Sequence, residues 1–284
     1  MTLNELYRLY LHDLKEIYPE NEAADITKLV FESVAGISRA DVIRNPEKLV
    51  NEPFTSTLKK HLADLKTHQP VQYVIGEAWF YQMKYKVNPA VLIPRPETEE
   101  LVTGVIEVLK DNPNAAVLDI GTGSGCIPIA LKKNMPGAAI TAIDVSKEAL
   151  EVAKENAAIH HTAILLKQLD FLDEQAWNEL GSYDIIVSNP PYIPLGEKAL
   201  LDTNVTAFEP HTALFVPDNT PLIFYERIAA FGKSHLKENG QVMMETHEDF
   251  AMQVLQLFSA SGFDAAILKD MSGKERMVVA TRCR

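Results

Sequence analysis

The sequence predicts an α/β fold in which a mostly parallel sheet carries helices on both faces and follows a small helical domain. Three observations predict it. From residue 115 onward, short apolar segments alternate with amphipathic helical segments, the pattern of parallel strands joined by helices. A glycine-rich loop directly follows the first of those strands. Before residue 70 the apolar residues recur at helical spacing, with no β-rich stretch.

Residues 1–75 are interpreted as a separate helical domain. Apolar residues recur at helical spacing in three segments, as in Leu3 and Leu6, Ile26 and Val30, and Leu58 and Leu62. Thr55 or Ser56 is the expected N-cap of the third helix, over residues 55–66. This domain is either a structural appendage or a module that recognises a partner.

Residues 76–95 are expected to form a β-hairpin linker, because aromatic and β-branched residues are dense there. Gln82-Met83-Lys84 is the expected turn. Pro94 and Pro96 end the second strand, and a helix over residues 97–110 follows. The third domain therefore spans residues 96–284.

The third domain is expected to contain seven apolar segments of strand character and four further helices. The strands are placed at 115–120, 138–143, 163–166, 183–188, 241–245, 264–269 and 277–281, and the helices at 126–134, 146–160, 222–236 and 248–259. A long proline-bearing stretch, 190–221, interrupts the alternation. Ligands of such sheets bind beyond the carboxyl ends of the strands, so motifs at those ends are the candidates for function.

The overall charge weighs against nucleic acid as a direct partner. The chain has 27 Lys and Arg against 39 Asp and Glu, a formal charge of −12, whereas general nucleic-acid binders carry a basic surface. An acidic chain suits a basic protein partner.

The two cysteines, Cys126 and Cys283, are too few for a disulfide framework and favour the cytoplasm. No apolar run of about 18 residues predicts a membrane span, and residues 1–10 do not resemble a signal peptide.

The segment from Asp119 to Gly125 is typical of a cofactor-binding loop. Glycines there permit a tight turn and a close approach of the backbone to a ligand. The third glycine comes one residue earlier than in the dinucleotide fingerprint, which suits S-adenosylmethionine because that cofactor has no pyrophosphate. The candidate cofactor-binding residues are Gly121, Thr122, Gly123, Ser124 and Gly125. The alternative is a tight turn without a ligand.

Residues after the next two strands extend this prediction. Asp144 ends the second strand, where a carboxylate accepts hydrogen bonds from ribose hydroxyls; its alternative role is an N-cap for the helix that follows. Asp170 is placed to accept from the exocyclic amine of adenine. Phe171 is placed to pack on the adenine ring, or else in the core.

Ser188-Asn189-Pro190-Pro191-Tyr192 follows the fourth strand and is the candidate catalytic motif. A planar amide or aromatic amino nitrogen is a poor nucleophile, because its lone pair is delocalised. The Asn189 side-chain oxygen and the Pro190 carbonyl would accept its two N–H bonds and aim it at the methyl donor, and orientation of this kind contributes about 7–11 kcal/mol. Tyr192 offers a flat face to the planar target. The scheme needs no strong general base. The alternative is a proline-rich exit from a strand.

Taken together, the motifs resemble those of the peptide chain release factor glutamine N5-methyltransferases, the PrmC or HemK type. The resemblance covers nearly the whole chain and rests on Gln72–Gly76, Val91–Glu99, Asp119–Gly125, Ser188–Ile193, Glu209-Pro210, Ala213-Leu214 and Gly273–Arg276. The Asn-Pro-Pro-Tyr motif also occurs in DNA adenine and RNA guanine methyltransferases, whereas the segment Ile93–Glu99 is more specific to glutamine methyltransferases.

The resemblance implies a class I S-adenosylmethionine-dependent methyltransferase domain with a seven-stranded sheet, preceded by a helical domain that engages the substrate. It implies methyl transfer to the glutamine of the Gly-Gly-Gln motif of class 1 release factors. Carried over, the glycine loop, Asp144 and Phe171 contact the cofactor, Asn189 to Tyr192 bind the glutamine, and Asn189 touches both ligands. Arg95 is a candidate substrate-binding residue; its alternative is an ion pair with Glu97 or Glu99.

Other polar residues are assigned weaker roles. The pair His160 and His161 has no cysteine or carboxylate at ligand spacing, and His247 is an isolated histidine, so no metal site is predicted. Glu245, at the end of the fifth strand, is interpreted as structural rather than as a base. Three other functions stay open: a ribosomal protein glutamine methyltransferase, a nucleic-acid adenine or guanine methyltransferase, and a non-catalytic binding module with the same fold.

Overall fold

Five helices build the N-terminal part of the chain in the computed structural model, which describes residues 1–282. They are α1 (Leu3–Lys15), α2 (Glu20–Ala35), α3 (Arg39–Arg44), α4 (Glu52–Leu65) and α5 (Val71–Ile75). Residues Met1–Glu77, together with Asp202–Phe208, form one compact unit. Its core holds fully buried Tyr10, Phe31 and Leu58, and the rings of Tyr10 and Phe31 meet edge to face at 5.3 Å.

Helix α4 begins earlier than its apolar periodicity predicts. Asn51 is the N-cap, and its side-chain oxygen accepts from the backbone N–H of Phe54 at 3.0 Å. The expected cap at Thr55 or Ser56 is therefore wrong. Pro53 lies in the first turn, where the missing N–H costs nothing, so Asn51 and Pro53 together are the start signal that the apolar spacing hides.

A two-stranded hairpin follows, with β1 (Glu77–Phe80) and β2 (Met83–Lys86). Tyr81 and Gln82 form the turn, and both have positive φ, 48° and 59°. Two left-handed residues match the right-handed twist of the strands. The turn expected at Gln82-Met83-Lys84 is therefore misplaced, since Met83 and Lys84 belong to β2.

The second compact unit comprises Ala78–Leu201 and the described residues from Glu209 onward. Its helices and strands after the hairpin are α6 (Pro96–Val108), β3 (Ala116–Ile120), α7 (Cys126–Asn134), β4 (Ala139–Asp144), α8 (Lys147–Ile159), β5 (Leu165–Gln168), β6 (Tyr183–Ser188), β7 (Ile193–Pro194), α10 (His211–Leu214), β8 (Phe215–Val216), α11 (Ile223–His235), β9 (Leu236–Glu245), α12 (Ala251–Ala260), β10 (Phe263–Lys269) and β11 (Glu275–Arg282). Helix α9 (Thr203–Phe208) lies between β7 and α10 in the chain and belongs to the first unit.

Seven of these strands form one sheet in the order β10-β11-β9-β6-β3-β4-β5. The pairs from β9 to β5 are parallel, and β11 is antiparallel to both of its neighbours. The predicted α/β fold with a mostly parallel sheet is confirmed. The strand order reverses between β3 and β6, whose ends pair Ile120 with Ser188, and such a switch point opens a crevice for a ligand.

Several element boundaries differ from the expected ones. The strand expected at residues 163–166 is β5, which begins two residues later. His160 and His161 form the turn that ends α8, and Thr162 closes it by donating its N–H and hydroxyl to the Ala157 carbonyl. The stretch 190–221 contains β7, β8, α9, α10 and a short 3₁₀ helix. The helix expected from residue 248 starts as a 3₁₀ turn, Glu248–Phe250, before α12. Ser146 caps α8 as expected, accepting from Ala149 N at 3.1 Å.

The sheet separates two apolar layers, because successive side chains of a strand point to opposite faces. Val117 of β3 and Ile185 of β6 pack in the layer beneath α6 and α7. Their neighbours Leu118 and Ile186 pack in the layer beneath α11 and α12. Among residues 1–282, no helix is long and apolar enough to span a bilayer.

Candidate functional site

A cavity of about 350 Å³ lies at the carboxyl ends of β3, β4 and β6, within the second unit. Ile120, Asp144 and Asn189 mark the three strand ends in its lining. Pro210, Phe215 and other residues of the segment after β6 form another part of the wall. The volume lies within the roughly 300–1,000 Å³ typical of small-molecule sites.

The glycine loop lies under one side of this cavity. Gly121 and Gly123, with φ of 75° and 53°, line it, and a Cβ on either would meet no atom within 4 Å. The left-handed backbone, rather than crowding, therefore explains glycine at both positions. Gly125 differs: a Cβ there would lie 3.1 Å from Ala153 Cβ, so this glycine allows α7 and α8 to pack closely.

Asp144 links the loop to the start of α8. Its Oδ2 accepts from Gly123 N and its Oδ1 from Ser146 N, both at 2.9 Å. Burial raises the pKa of Asp144, and these backbone N–H groups act in the opposite direction. Since Ser146 is the helix cap, the alternative cap role of Asp144 is not observed, and each carboxylate oxygen keeps a lone pair for a ligand hydroxyl.

Phe171 and Asp170 both line the cavity. Phe171 is also a core residue, 5% exposed, with its ring 5.6 Å from Trp177 and 5.4 Å from Phe231. Phe171 is therefore a core residue that also borders the cavity, and its packing on adenine stays a prediction. Asp170 is exposed, and its Oδ1 accepts from Leu172 N at 2.9 Å, which fixes the turn that presents Phe171.

Three buried polar side chains lie in the loop itself and are not part of the cavity lining. Neither carboxylate oxygen of Asp119, nor the hydroxyls of Thr122 and Ser124, has a hydrogen-bond partner of normal geometry in the described chain. Burial raises the pKa of Asp119 to about 7, the Thr122 hydroxyl partly offsets this, and Asp144 adds to it. The sequence marked Asp119 only as the start of the loop, because burial has no signal in the local pattern.

Asp119→Asn is expected to stabilise the cofactor-free protein clearly more at pH 8 than at pH 5. The folded-state pKa of about 7 lies above the ordinary aspartate pKa of 3.8, so the folded protein binds this proton more tightly than the unfolded chain. Folding therefore loses stability as pH rises from about 4 to 7, and the cost is complete above that range. The shift corresponds to roughly 4 kcal/mol at most.

Thermal unfolding at both pH values measures this difference. Asp264→Asn, which changes an exposed aspartate in the same unit, is the matched control and should leave the melting temperature unchanged at both. An equal effect of Asp119→Asn at pH 5 and pH 8 would contradict the burial of an ionisable carboxylate at this position.

The motif after β6 contributes three residues to the cavity lining: Asn189, Pro190 and Pro191. The Asn189 Nδ2 donates to Thr98 Oγ1 at 3.1 Å. Tyr192 is not part of the lining, and its hydroxyl donates to Glu245 Oε1 at 3.2 Å. Burial and the neighbouring Glu245 raise the pKa of Tyr192, which therefore stays a neutral donor.

Glu245 and Thr98 complete a buried network that the sequence did not reveal. Thr98 Oγ1 donates to Glu245 Oε2 at 2.7 Å, and Glu245 is 3% exposed. Burial raises the pKa of Glu245, while the bonds from Thr98 and Tyr192 lower it. The interpretation of Glu245 as structural rather than as a base agrees with a carboxylate that is already occupied by two donors.

Arg95 is paired with Glu209, at 2.6 Å from its Oε1, and not with Glu97 or Glu99 in this structure. The Glu209 carboxylate is 1% exposed and also accepts from Ile93 N at 3.1 Å. Arg95 is not among the residues that line the cavity. The ion pair ties the segment before α6 to the segment before α10.

The histidines have other partners. His160 Nε2 lies 2.7 Å from the Lys84 carbonyl oxygen, and His247 Nε2 lies 3.4 Å from Glu197. Across residues 1–282, no group of three or more His, Cys, Asp or Glu side chains is arranged to hold a metal ion. Cys126 is buried and unpaired, and Cys283 lies outside the described residues.

Comparison with known proteins decides the family. The chain is 36% identical over 282 residues to the release factor glutamine methyltransferase of Bacteroides thetaiotaomicron, which covers 99% of this chain and 100% of the relative. It is 40% identical over 281 residues to the protein of the same name from Streptococcus pneumoniae, covering 97% and 98%. The chain belongs to the release factor glutamine methyltransferase family.

Two family models match two separate parts of the chain. The PrmC N-terminal domain matches residues 5–76, and the Methyltransferase small domain matches residues 103–206. The second range contains the glycine loop and Asn189 to Tyr192. A methyltransferase from Pyrococcus furiosus, 18% identical, shares the fold with a TM-score of 0.52 over 70% of this chain and 89% of its own. The expected family and the class I methyltransferase fold are confirmed.

Proposed function

We propose that this chain transfers a methyl group from S-adenosylmethionine to the side-chain amide nitrogen of the glutamine in the Gly-Gly-Gln motif of class 1 peptide chain release factors. The observation that carries the proposal is Asn189. Its side chain lines the cavity at the switch point, and its amide N–H is bound to Thr98. The side-chain oxygen therefore stays available to an N–H donor of a substrate.

The residues of the cavity fit S-adenosylmethionine. The left-handed loop at Gly121 and Gly123 leaves open space for a ligand against the backbone. Each carboxylate oxygen of Asp144 accepts one backbone N–H and can accept a second hydrogen bond from a ribose hydroxyl. Phe171 offers an apolar face to adenine. When bound, the cofactor supplies an electrophilic methyl group on a sulfonium. The cofactor-binding set proposed from the sequence also includes Thr122, Ser124 and Gly125, which belong to the same loop but do not line the cavity.

The chain's own residues hold and orient the acceptor nitrogen. Asn189 Oδ1 and the Pro190 carbonyl each accept one N–H of the glutamine amide, so the nitrogen lone pair faces the methyl donor. Both oxygens also favour the positive charge that develops on that nitrogen during transfer. The nitrogen loses its proton to water after the C–N bond forms. Pro191 lines the cavity, Tyr192 acts through its hydrogen bond to Glu245, and Arg95 acts through its ion pair with Glu209.

A methyl-transfer assay with labelled cofactor tests the proposal. A class 1 release factor should be labelled, and its variant with Gln→Ala in the Gly-Gly-Gln motif should not be. Ribosomal proteins and DNA are the competing acceptors, and the net charge of −12 disfavours direct binding of nucleic acid. Equal labelling of the Gln→Ala variant, or labelling of ribosomal proteins or DNA alone, would refute the release factor as substrate.

We assign recognition of the release factor to the helical domain, residues 1–75, followed by a hairpin linker over 76–95 and the catalytic domain over 96–284. In the same assay, intact release factor should then show a lower KM than a short Gly-Gly-Gln peptide, because only the intact protein can contact the helical domain. Equal KM values would favour a structural appendage. A cytoplasmic location, where release factors act, follows from the same proposal.

A further inference from the structure

We propose that Thr98 and Glu245 form a relay that holds the Asn189 amide with its oxygen facing the acceptor, so that the site selects a primary amide over a carboxylate. The inference rests on the proposed function and assigns two positioning residues to it. Neither residue is among those that line the cavity. Both act through Asn189, which does line it.

The direction of the hydrogen bonds follows from Glu245. While Glu245 is ionised, its carboxylate can only accept hydrogen bonds, so Thr98 donates its hydroxyl proton to Glu245 Oε2, 2.7 Å away. The Thr98 oxygen can then only accept from Asn189, 3.1 Å away. Of the two ends of the Asn189 amide, only the NH₂ group can donate. The network therefore excludes the flipped amide.

Glu245 is held in this role from its other side. Tyr192, from the same motif as Asn189, donates to Glu245 Oε1 at 3.2 Å. Two donors on one buried carboxylate offset the cost of burying its charge. Arg276 also favours the ionised form, whereas Glu97 opposes it, and Tyr225 donates to the Glu245 backbone carbonyl at 3.2 Å. The relay thus has a fixed acceptor at its end.

The Asn189 oxygen keeps its lone pairs for a ligand. Asn189 is half-buried, and no described residue donates a hydrogen bond to its Oδ1. The Pro190 carbonyl, the second proposed acceptor, belongs to a backbone with no N–H at Pro190 or Pro191. Asn189 Oδ1 and the Pro190 carbonyl therefore offer the substrate side chain two hydrogen-bond acceptors and no hydrogen-bond donor.

Two acceptors discriminate glutamine from glutamate. A glutamine amide brings two N–H donors and satisfies both oxygens. A glutamate carboxylate brings only acceptors and leaves all of them unpaired, and sites built on hydrogen bonds reject such analogues strongly. If the Asn189 amide could flip, its NH₂ group would donate to the carboxylate and the discrimination would weaken.

Removal of the Thr98 hydroxyl tests the relay. Thr98→Val should lower kcat at saturating substrate and cofactor by at least about tenfold, since misplaced catalytic groups cost rate. Thr98→Ser keeps the hydroxyl and should retain kcat within about threefold of wild type. Thr141→Val, at a buried threonine on β4, is the matched control for the loss of a buried hydroxyl and should turn over normally.

Cofactor affinity separates positioning from collapse of the site. The Kd for S-adenosylmethionine should stay within about twofold in all three variants, because Thr98 and Thr141 are not part of the cavity lining. A Thr98→Val enzyme with normal kcat, or a Thr98→Ser enzyme as defective as Thr98→Val, would overturn the relay.

Specificity is tested with a release factor that carries Gln→Glu in its Gly-Gly-Gln motif, used as a competitive inhibitor. The wild-type enzyme and Thr98→Ser should bind it much more weakly than the glutamine protein. In Thr98→Val the ratio of the two affinities should shrink by at least about fivefold, since a freed amide can donate to the carboxylate. An unchanged ratio would overturn the selection of amide over carboxylate.

A last measurement does not depend on turnover. The side-chain ¹⁵N–¹H signals of Asn189, assigned by their loss in Asn189→Ala, should shift in Thr98→Val and stay in place in Thr98→Ser. Unchanged signals in Thr98→Val would refute the hydrogen bond itself. If wild-type enzyme fails to label release factor while these signals behave as expected, the proposed function fails and the relay geometry stands.

Discussion

Replacing Asn189 by alanine is expected to lower kcat by at least about a hundredfold, the loss seen when one preorganised group at a transition state is removed. The variant loses the side-chain oxygen that accepts from the glutamine amide. It also removes the hydrogen bond from the Asn189 amide to Thr98, whereas the bond between Thr98 and Glu245 stays intact. The chemical step should suffer far more than the fold.

Cofactor affinity gives the counterpart of this result. Asn189 lines the cavity beside other residues, so the Kd for the cofactor should change by less than about tenfold, the cost of one contact. Asn178→Ala removes an exposed asparagine of the same unit and should leave kcat at the wild-type value. Turnover of Asn189→Ala near wild type would remove Asn189 from the reaction.

The second large effect is expected at Asp144. Asp144→Ala should weaken cofactor binding by about a hundredfold or more, because each hydrogen bond to a charged group contributes about 1.5–3 kcal/mol. The change also leaves the backbone N–H groups of Gly123 and Ser146 without the acceptors they have in the structure. The loop that shapes the cavity would then lose its tie to α8.

Asp144→Asn is the graded comparison for this prediction. It keeps the shape of the side chain and one acceptor oxygen, so its cofactor affinity should lie between those of wild type and Asp144→Ala. Calorimetric titration measures all three, and thermal unfolding of the cofactor-free proteins reports on the fold. If Asp144→Ala binds the cofactor within about threefold of wild type, against the energy expected of these bonds, Asp144 does not hold the ribose.

Asn189 and Glu245 differ in how far their roles can be predicted from the sequence, because one belongs to a local motif and the other contacts distant residues. The role of Asn189 is predicted from four consecutive residues after an apolar strand, because the whole motif lies in adjacent positions of the sequence. Glu245 was found only as the last residue of a strand. Its partners Thr98 and Tyr192 lie 147 and 53 residues away, and no spacing rule links them.

The same contrast explains the errors in the fold. The helix cap at Asn51 and the hairpin turn at Tyr81 and Gln82 were missed because apolar periodicity located the helix interior and the strands but not their ends. Arg95 was given Glu97 or Glu99 as alternative partners because they are near in sequence. Its partner, Glu209, is 114 residues away and meets it through the folded chain.

Features that depend on neighbouring residues could be predicted from the sequence: the alternation of strands and helices, the glycine loop, the Ser146 cap, and the motif that starts at Asn189. These follow from backbone conformation and hydrogen bonding over a few residues. Which distant side chains contact one another became clear from the folded chain. The order of β9, β6 and β3 in the sheet brings the end of β9 close to the motif after β6, and the packing of α6 brings Thr98 between Asn189 and Glu245. Contacts of this kind depend on the whole path of the chain, so no local pattern carries them.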